Sequence, residues 1–342
     1  MLNKTSIKKV LLKVIWVLGG LHLIHYKNRH KICILMLHGV MARNEKSRWE
    51  PLRQQLCPEE LKRTLTILSQ YYQFISVEQC VDILDGKLPA IDNALLITFD
   101  DGYRNNIDYA LPICESFSIK PVLFVATNHI NSGSPFWFDR LDYALQQNMG
   151  EVLSLTYQGS MYHFDARTRE DLITSYKTFR DDCKERFNDD IKLNNLFNGL
   201  SEILEARSGL KLSDISDKDD WSAIVSWETL KEAVSKGRLD VASHTEDHLR
   251  LNCLNEDDIS SQLQQSKICI ENELAVKCHY FCYPNGNYNG LAIKLAKETG
   301  YRAAFSTDVG LCESKDDLMT LKRFNFPANK TTSELLYLLN KK

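Results

Sequence analysis

Adjacent carboxylates at Asp100 and Asp101, a glycine directly after them at Gly102, and a histidine pair at His244 and His248 are the residues best suited to chemistry. Two histidines four apart can approach one ion from the same side of a helical turn, as in zinc sites. An aspartate at the end of another strand would complete a facial ligand set and leave positions open for water and substrate. Such histidine and carboxylate ligands suit Zn²⁺ well, and Fe²⁺, Co²⁺ or Ni²⁺ would also bind them. With two aspartates available, one can hold the ion while its neighbour, turned by the Gly102 bend, stays free as a base. A metal lowers the pKa of a coordinated water towards ~7, so a nearby carboxylate can take its proton at neutral pH. A third reactive strand end is the turn at Pro284. Taken singly, Asp-Asp-Gly also reads as a turn or helix cap, and the histidines as an unrelated pair.

What joins these motifs is the kind of element that precedes each. Ala94 to Phe99 is an apolar strand that stops at Asp100, and Leu239 to Ala242 is a strand that leads into Ser243-His244-Thr245-Glu246-Asp247-His248. His279 to Tyr283 is a strand ending at Pro284-Asn285-Gly286, and Ile32 to Leu37 is a short apolar run ending at His38-Gly39. Between the strands lie helical patterns at Pro58 to Gln70, Val77 to Leu84, Ile107 to Phe117, Glu256 to Leu274 and Leu291 to Thr299. Strands alternating with helices predict a parallel α/β architecture with catalytic residues at the carboxyl ends of strands. The alternation breaks over residues 131–220, where Phe138 to Gln147, Arg169 to Arg186 and Asn195 to Ser208 are helical candidates. That stretch reads as a helical insertion on one barrel loop, walling the substrate groove. Residues 330–342 read as a C-terminal helix or tail.

Composition narrows the function classes. The 342 residues are 44% apolar and 25% charged, ordinary for a globular protein, and suffice for one large α/β domain. A formal net charge of −3 gives no whole-protein reason to expect nucleic-acid binding. There is no Walker A loop, no GxGxxG and no GxSxG, so nucleotide and serine-hydrolase readings lack support. The ten cysteines include no CxxC pair, which predicts reduced, mostly buried thiols and favours the cytoplasm.

Residues 1–31 differ from the rest. Lys4, Lys8, Lys9 and Lys13 precede an apolar run from Val14 to Ile24, and Tyr26 to Lys31 is basic again. At about 1.5 Å per residue that run cannot cross a hydrocarbon core of ~30 Å. A helix lying in an anionic membrane surface fits, with lysines on head groups and Ile15, Trp16, Leu18 and Leu23 in the acyl boundary. The alternative is a helix packed on its own domain.

Leu96-Ile97-Thr98-Phe99-Asp100-Asp101-Gly102-Tyr103 resembles the first motif of the polysaccharide deacetylases, the NodB-homology or carbohydrate esterase 4 family. Ser243 to His248 resembles the second, H-[ST]-x-x-H, and Phe281-Cys282-Tyr283-Pro284-Asn285-Gly286 is similar to a variant of the third. Leu35 to Val40 is similar to the strand that begins many members. The resemblance covers about residues 32–130 and 221–327. It implies a distorted (β/α)₇ barrel with one divalent metal on Asp101, His244 and His248, and Asp100 as general base. The metal and a backbone N–H at Asn285, in the turn after Pro284, would stabilise the oxyanion. The products would be acetate and a glucosamine-type residue.

Two departures from the family pattern bear on mechanism. The arginine that many members carry two residues before the motif-three proline is Cys282 here, leaving Arg323 as a candidate for the orienting charge. The late histidine that protonates the leaving amine has no match near Leu318 to Phe326; His38 could take that role or be a structural histidine beneath the site. Tyr103 and Pro284 are expected to line the groove. Trp137, with Asp139 and Arg140, would suit sugar stacking, or else packs the insertion. The expected activity is removal of an N-acyl, foremost N-acetyl, group from an amino sugar in a polysaccharide or a lipid-linked glycan. The expected location is the inner face of the cell membrane. A deformylase of a lipid-linked aminosugar, and a catalytically dead glycan-binding or scaffold protein, are the alternatives.

Overall fold

Strand residues of this chain alternate between two apolar environments, and that alternation builds the molecule. The computed structural model describes residues 4–41 and 49–341. Its strands are β1 (Cys33–Leu37), β2 (Gln73–Phe74), β3 (Ala94–Phe99), β4 (Val122–Val125), β5 (Val152–Tyr157), β6 (Ser160–Asp165), β7 (Asp240–Ser243), β8 (Tyr280–Cys282), β9 (Ala303–Phe305) and β10 (Phe324–Asn325). One buried cluster takes Ile34, Leu96, Phe124, Ala242, Cys282 and Phe305, one residue from each of six strands. The residues between them, such as Leu35, Ile97, Leu123, Val241 and Phe281, pack instead with helix residues Leu61, Leu65, Leu230 and Leu263. With a period of two, a strand covered on both faces reads as a continuous apolar run.

The main sheet is parallel and runs β10-β1-β3-β4-β7-β8-β9, with β2 added beside β3. Leu321 bridges Phe305 of β9, and Phe324 pairs with Leu35 of β1 a few residues later. One short segment therefore touches both edges and curls the sheet into a small barrel, as the distorted (β/α)₇ reading requires. The intervening helices include Pro58–Leu68, Val77–Leu84, Trp227–Ser235, Glu256–Leu274 and Gly290–Glu298. Ser76 and Gln79 form a reciprocal capping box that starts the second of these. The stretch expected to be one helix from Ile107 begins instead with a wide turn over Asn106–Ala110, followed by Leu111–Ser116.

The insertion is not wholly helical. Helices Trp137–Gln146, Arg169–Arg186 and Asp190–Ser208 flank an antiparallel hairpin of β5 and β6. Leu153, Leu155 and Phe164 of the hairpin are buried against Leu172, Leu196 and Leu200, giving the insertion its own core. Its available signal was the alternation Leu153/Leu155 before Gln158-Gly159, which both adopt positive φ. Helix Asp190–Ser208 starts earlier than its apolar pattern because Asp189 caps it, accepting from the Lys192 N–H. Buried Asp190 then accepts from the Arg250 backbone N–H at 2.6 Å and from its Nε at 2.7 Å. Arg250 lies two residues beyond His248, so this pair ties the insertion to the loop that carries the histidines.

At the other end of the chain, helices Lys4–Val17 and Gly20–Lys27, joined at Gly19 with φ 79, lie against helix Thr332–Leu338. Leu12, Leu21 and His25 are buried, and His25 Nε2 donates to the Tyr71 carbonyl at 3.0 Å. Ile15 and Trp16, expected to face lipid, are half-buried on the protein side. Residues 1–3 of the expected surface segment lie outside the described residues. No helix among the described residues is long and apolar enough to cross a membrane.

Candidate active site

The alternation that fills the barrel also aims its reactive residues. On β3, Leu96 and Thr98 point inward, so Asp100, two residues on, does too. On β7 the inward series runs Ala242, His244; on β8 it runs Tyr280, Cys282; on β1 it runs Ile34, Met36, His38. These strand ends meet at one mouth, where an open cleft of about 1210 Å³ is lined by His38, Asp100, Asp101, His244, His248, Tyr283 and Asn285. Asp101 breaks the strand's parity: at φ 82 it turns its carboxylate away from its neighbour's direction. Gly102 follows at φ 98, and a Cβ there would lie 3.3 Å from Val125.

Asp101 and the two histidines converge. Asp101 Oδ1 lies 3.6 Å from His244 Nε2 and 3.4 Å from His248 Nε2, all three side chains being buried. The spacing of four does not act through a helical turn. His244 ends a strand, and the loop after it bends back because Thr245 and His248 both adopt left-handed φ, 69 and 57. Such a conformation is strained for a β-branched residue and is held by its surroundings. Thr245 Oγ1 accepts from the His248 N–H at 3.0 Å, and Gln262 Oε1 accepts from the N–H groups of Glu246 and Asp247 at 3.1 and 3.0 Å. The hydroxyl residue of the second motif thus positions the second histidine.

These residues fit a divalent cation. Asp101 Oδ1 is buried without any hydrogen-bond partner, which an anionic oxygen tolerates only beside a positive charge. His244 donates its Nδ1–H to the Cys282 carbonyl at 2.8 Å, leaving the Nε2 lone pair towards Asp101. Burial, then the neighbouring His248, pushes the His244 pKa down to about 4, so it is neutral at physiological pH. Burial alone would raise the Asp101 carboxyl, but His38 foremost, with His248, outweighs it and holds it well below the usual range. A second grouping of Asp100, His244 and Cys282 also brings donor atoms together. It fits a cation poorly: both Asp100 oxygens are engaged, His244 Nδ1 carries a proton, and burial holds the Cys282 thiol protonated.

Asp100 is held by a different charge from the one the motif would supply. Arg323, fully buried, donates from Nη1 to Asp100 Oδ1 at 2.7 Å and from Nη2 to Oδ2 at 2.8 Å. It also donates to Thr98 Oγ1 at 3.0 Å, the Ser306 carbonyl at 2.8 Å and Cys282 Sγ at 3.0 Å. The guanidinium therefore occupies the space beside Cys282 but comes from the segment that closes the barrel. Burial would raise the Asp100 carboxyl; the two-pronged contact overcomes this and keeps it ionised.

The remaining expected site residues divide. His38 is exposed on the cleft, with its carbonyl fixed by Asn106 Nδ2 at 2.6 Å. Asn285 also lines the cleft, at φ 54. Pro284 does not: it is buried and starts the turn, where its fixed φ is its contribution. Tyr103 is likewise not a groove residue. It is fully buried, donates to Asp139 Oδ2 at 2.6 Å and accepts from Arg53 Nη2 at 2.5 Å. Trp137 reaches the cleft but packs edge-on against Phe197, 4.5 Å between centroids, within the insertion core. Arg140 is committed to Glu205, with two bonds of 2.7 Å. The residue the sequence reading missed is Arg53: it lines the cleft, pairs with Asp139 at 3.1 Å and lies 5.0 Å over the Phe138 ring. It lies in no motif, so no local pattern marked it.

Residues 205–304 match the family model described as polysaccharide deacetylase. Over 96 residues, 28% of this chain, the sequence is 32% identical to YxkH of Bacillus subtilis (strain 168), described as a polysaccharide deacetylase. The matched stretch is 34% of that relative, so the chain spans about a third of its length. Among solved structures, the deacetylase PplD of Streptococcus pyogenes, in complex with acetate, superposes with a TM-score of 0.58 at 17% identity, covering 90% of this chain and 98% of that one. IcaB from Ammonifex degensii gives 0.55 at 15% identity, covering 91% and 97%. These superpositions show that the barrel and most of its surroundings share one fold. The second motif within the matched stretch, the first motif on β3 and the shared fold agree in the likeness: over these segments and in its barrel the chain is similar to polysaccharide deacetylases.

Proposed function

We propose that this protein is a metal-dependent hydrolase that removes an N-acetyl group from an amino sugar of a polysaccharide or its lipid-linked precursor. The observation that carries this reading is the buried cluster of Asp101, His244 and His248, with an unpartnered carboxylate oxygen, beside an ionised Asp100. A divalent cation there, with Zn²⁺ the first choice for such donors, supplies Lewis acidity to a carbonyl and lowers the pKa of water. Asp100 accepts the proton of the attacking water, and Arg323 keeps its carboxylate facing the mouth. His38 donates a proton to the leaving amine, being the exposed imidazole on that cleft. The Asn285 turn stabilises the oxyanion. The charge that Cys282 cannot provide is supplied by Arg323, which weighs against a decayed, merely glycan-binding site.

The test is release of acetate from an N-acetylglucosamine oligomer, with an N-formyl counterpart run alongside. Acetate release that stops with a chelator and returns with Zn²⁺ supports the reading. Formate released in its place makes the protein a deformylase, and neither product from metal-loaded, folded protein removes the hydrolase reading.

The same proposal places the enzyme on an anionic membrane surface through its first two helices, at the inner face of the cell membrane. They leave Ile7, Val10, Leu11, Val14, Val17, Leu18, Leu23 and Ile24 exposed, Val17 at 69% and Leu18 at 79%, with Lys8, Lys9 and Lys13 beside them. So large an exposed apolar face flanked by lysines suits the boundary between head groups and acyl chains. The full chain is expected to sediment with vesicles containing phosphatidylglycerol, and Leu18→Glu/Leu23→Glu to reduce the bound fraction at least tenfold. Equal sedimentation of the two proteins would end the membrane assignment.

A further inference from the structure

The cleft carries more positive charge than its catalytic end uses. Two of its arginines are matched, Arg53 by Asp139 and Arg250 by Asp190, and the fully buried Arg323 is matched by Asp100. Arg180 and Lys184, on helix Arg169–Arg186, line the same cleft, as do Lys330 and Lys341. None of these four forms an ion pair among the described residues. The acidic residues lining the cleft are Asp100, Asp101 and Asp190, already taken by Arg323, the metal cluster and Arg250. Among the described residues, no acidic side chain lining the cleft is left to pair with the four cations.

Position strengthens the point. Arg250 Nη1 donates to the Lys184 carbonyl at 3.1 Å, so the cationic wall is fastened to the loop bearing His248. Arg180 is half-buried, its Nε is buried without a partner, and its guanidinium lies 5.5 Å over the Tyr176 ring. That leaves the outer nitrogens of a braced guanidinium for an anion, the arrangement in which arginine binds phosphate or carboxylate best. Lys330 and Lys341 flank helix Thr332–Leu338, against which the two N-terminal helices pack. The cleft thus extends from the metal cluster towards the exposed apolar face.

Resting on the deacetylase reading, we propose that the substrate is an N-acyl amino sugar carrying a phosphate, with Arg180 and Lys184 binding that phosphate. The shared chemistry is an anion on the sugar. Phosphate is the assignment because a phosphodiester or diphosphate is what joins a sugar to a membrane lipid, and Lys330 and Lys341 carry the cleft's positive charge to helix Thr332–Leu338, on which the exposed apolar helices pack.

The experiment measures binding of N-acetylglucosamine 1-phosphate and of neutral N-acetylglucosamine to the purified full chain at low salt. The phosphate ligand should bind about tenfold more tightly. In Arg180→Gln/Lys184→Gln the ratio should fall to near unity with the neutral sugar's affinity unchanged. Lys184 is exposed, so Lys184→Gln alone, which should lose part of the preference, serves if the double variant is unstable. Equal affinities in the wild type, or a preference that survives both variants, would overturn the proposal. Tighter binding of a glucuronate-linked N-acetylglucosamine disaccharide would overturn the phosphate assignment in favour of a carboxylate. Because binding is read without turnover, an enzyme that released no acetate could still show the preference, which keeps the two readings separable.

Discussion

Replacing both His244 and His248 by alanine is expected to abolish divalent metal binding and to lower N-acyl hydrolysis by at least about 10³-fold. The two imidazole nitrogens lie 3.6 and 3.4 Å from one carboxylate oxygen that has no other partner. Removing them leaves Asp101 as a single donor, too few for a tightly held Zn²⁺. A Lewis acid is worth several kcal/mol of transition-state stabilisation, and each 1.36 kcal/mol is tenfold in rate. Both histidines are buried, so His248→Gln, which keeps more volume, separates lost chemistry from lost packing. Elemental analysis checks the first half of the prediction and acetate release the second. Near-stoichiometric metal in a folded double variant would show that the ion sits elsewhere and would remove the basis for the proposed centre.

The second large effect is expected at Arg323. Arg323→Ala should destabilise the protein by about 3–5 kcal/mol, because Asp100 would remain buried without its counter-charge. Its effect on activity has a defined sign. Arg323 holds the Asp100 carboxyl below its ordinary range against the upward push of burial. Without the guanidinium, burial prevails and the pKa rises, so a smaller fraction of Asp100 is ionised at a given pH. The acidic limb of the rate profile should move to higher pH, whereas a purely structural loss would lower the rate without moving the limb. Cys282 offers a further check. Its sulfur lies 3.0 Å from Arg323 Nη2 and 3.6 Å from Asp100 Oδ2, so a side chain from position 282 can reach the same carboxylate. Arg323→Ala/Cys282→Arg should recover part of the activity and return the limb towards its original position. A limb that stays in place in Arg323→Ala would mean that Asp100 is tuned by something else.

Much of the site could be read locally. Asp100-Asp101-Gly102 ends an apolar strand and His244 ends another, and period-two alternation together with a parallel α/β pattern suffices to bring such ends to one mouth. These depend on neighbours in sequence, and for that reason the barrel and the donor cluster were legible. The hairpin of β5 and β6 was legible in principle but masked by the charge-rich helices around it.

Other features depend on residues far apart in the chain, for which no local pattern exists. Arg323 reaches Asp100 only because the segment from Leu321 closes the barrel between β9 and β1. Tyr103 follows the metal turn yet is turned into the interior, where Asp139 and Arg53 satisfy its hydroxyl. The histidine loop is not helical, because Gln262 and the Thr245 side chain bind its backbone and hold two residues at positive φ. The N-terminal helices are amphipathic in sequence, but packing on Thr332–Leu338 decided that Trp16 turns inward and Leu18 outward. Residue types and spacing thus determined which groups could do chemistry at the strand ends. Barrel closure and the docking of the insertion decided which charges hold those groups, because each such pairing joins elements that become neighbours only in the folded chain.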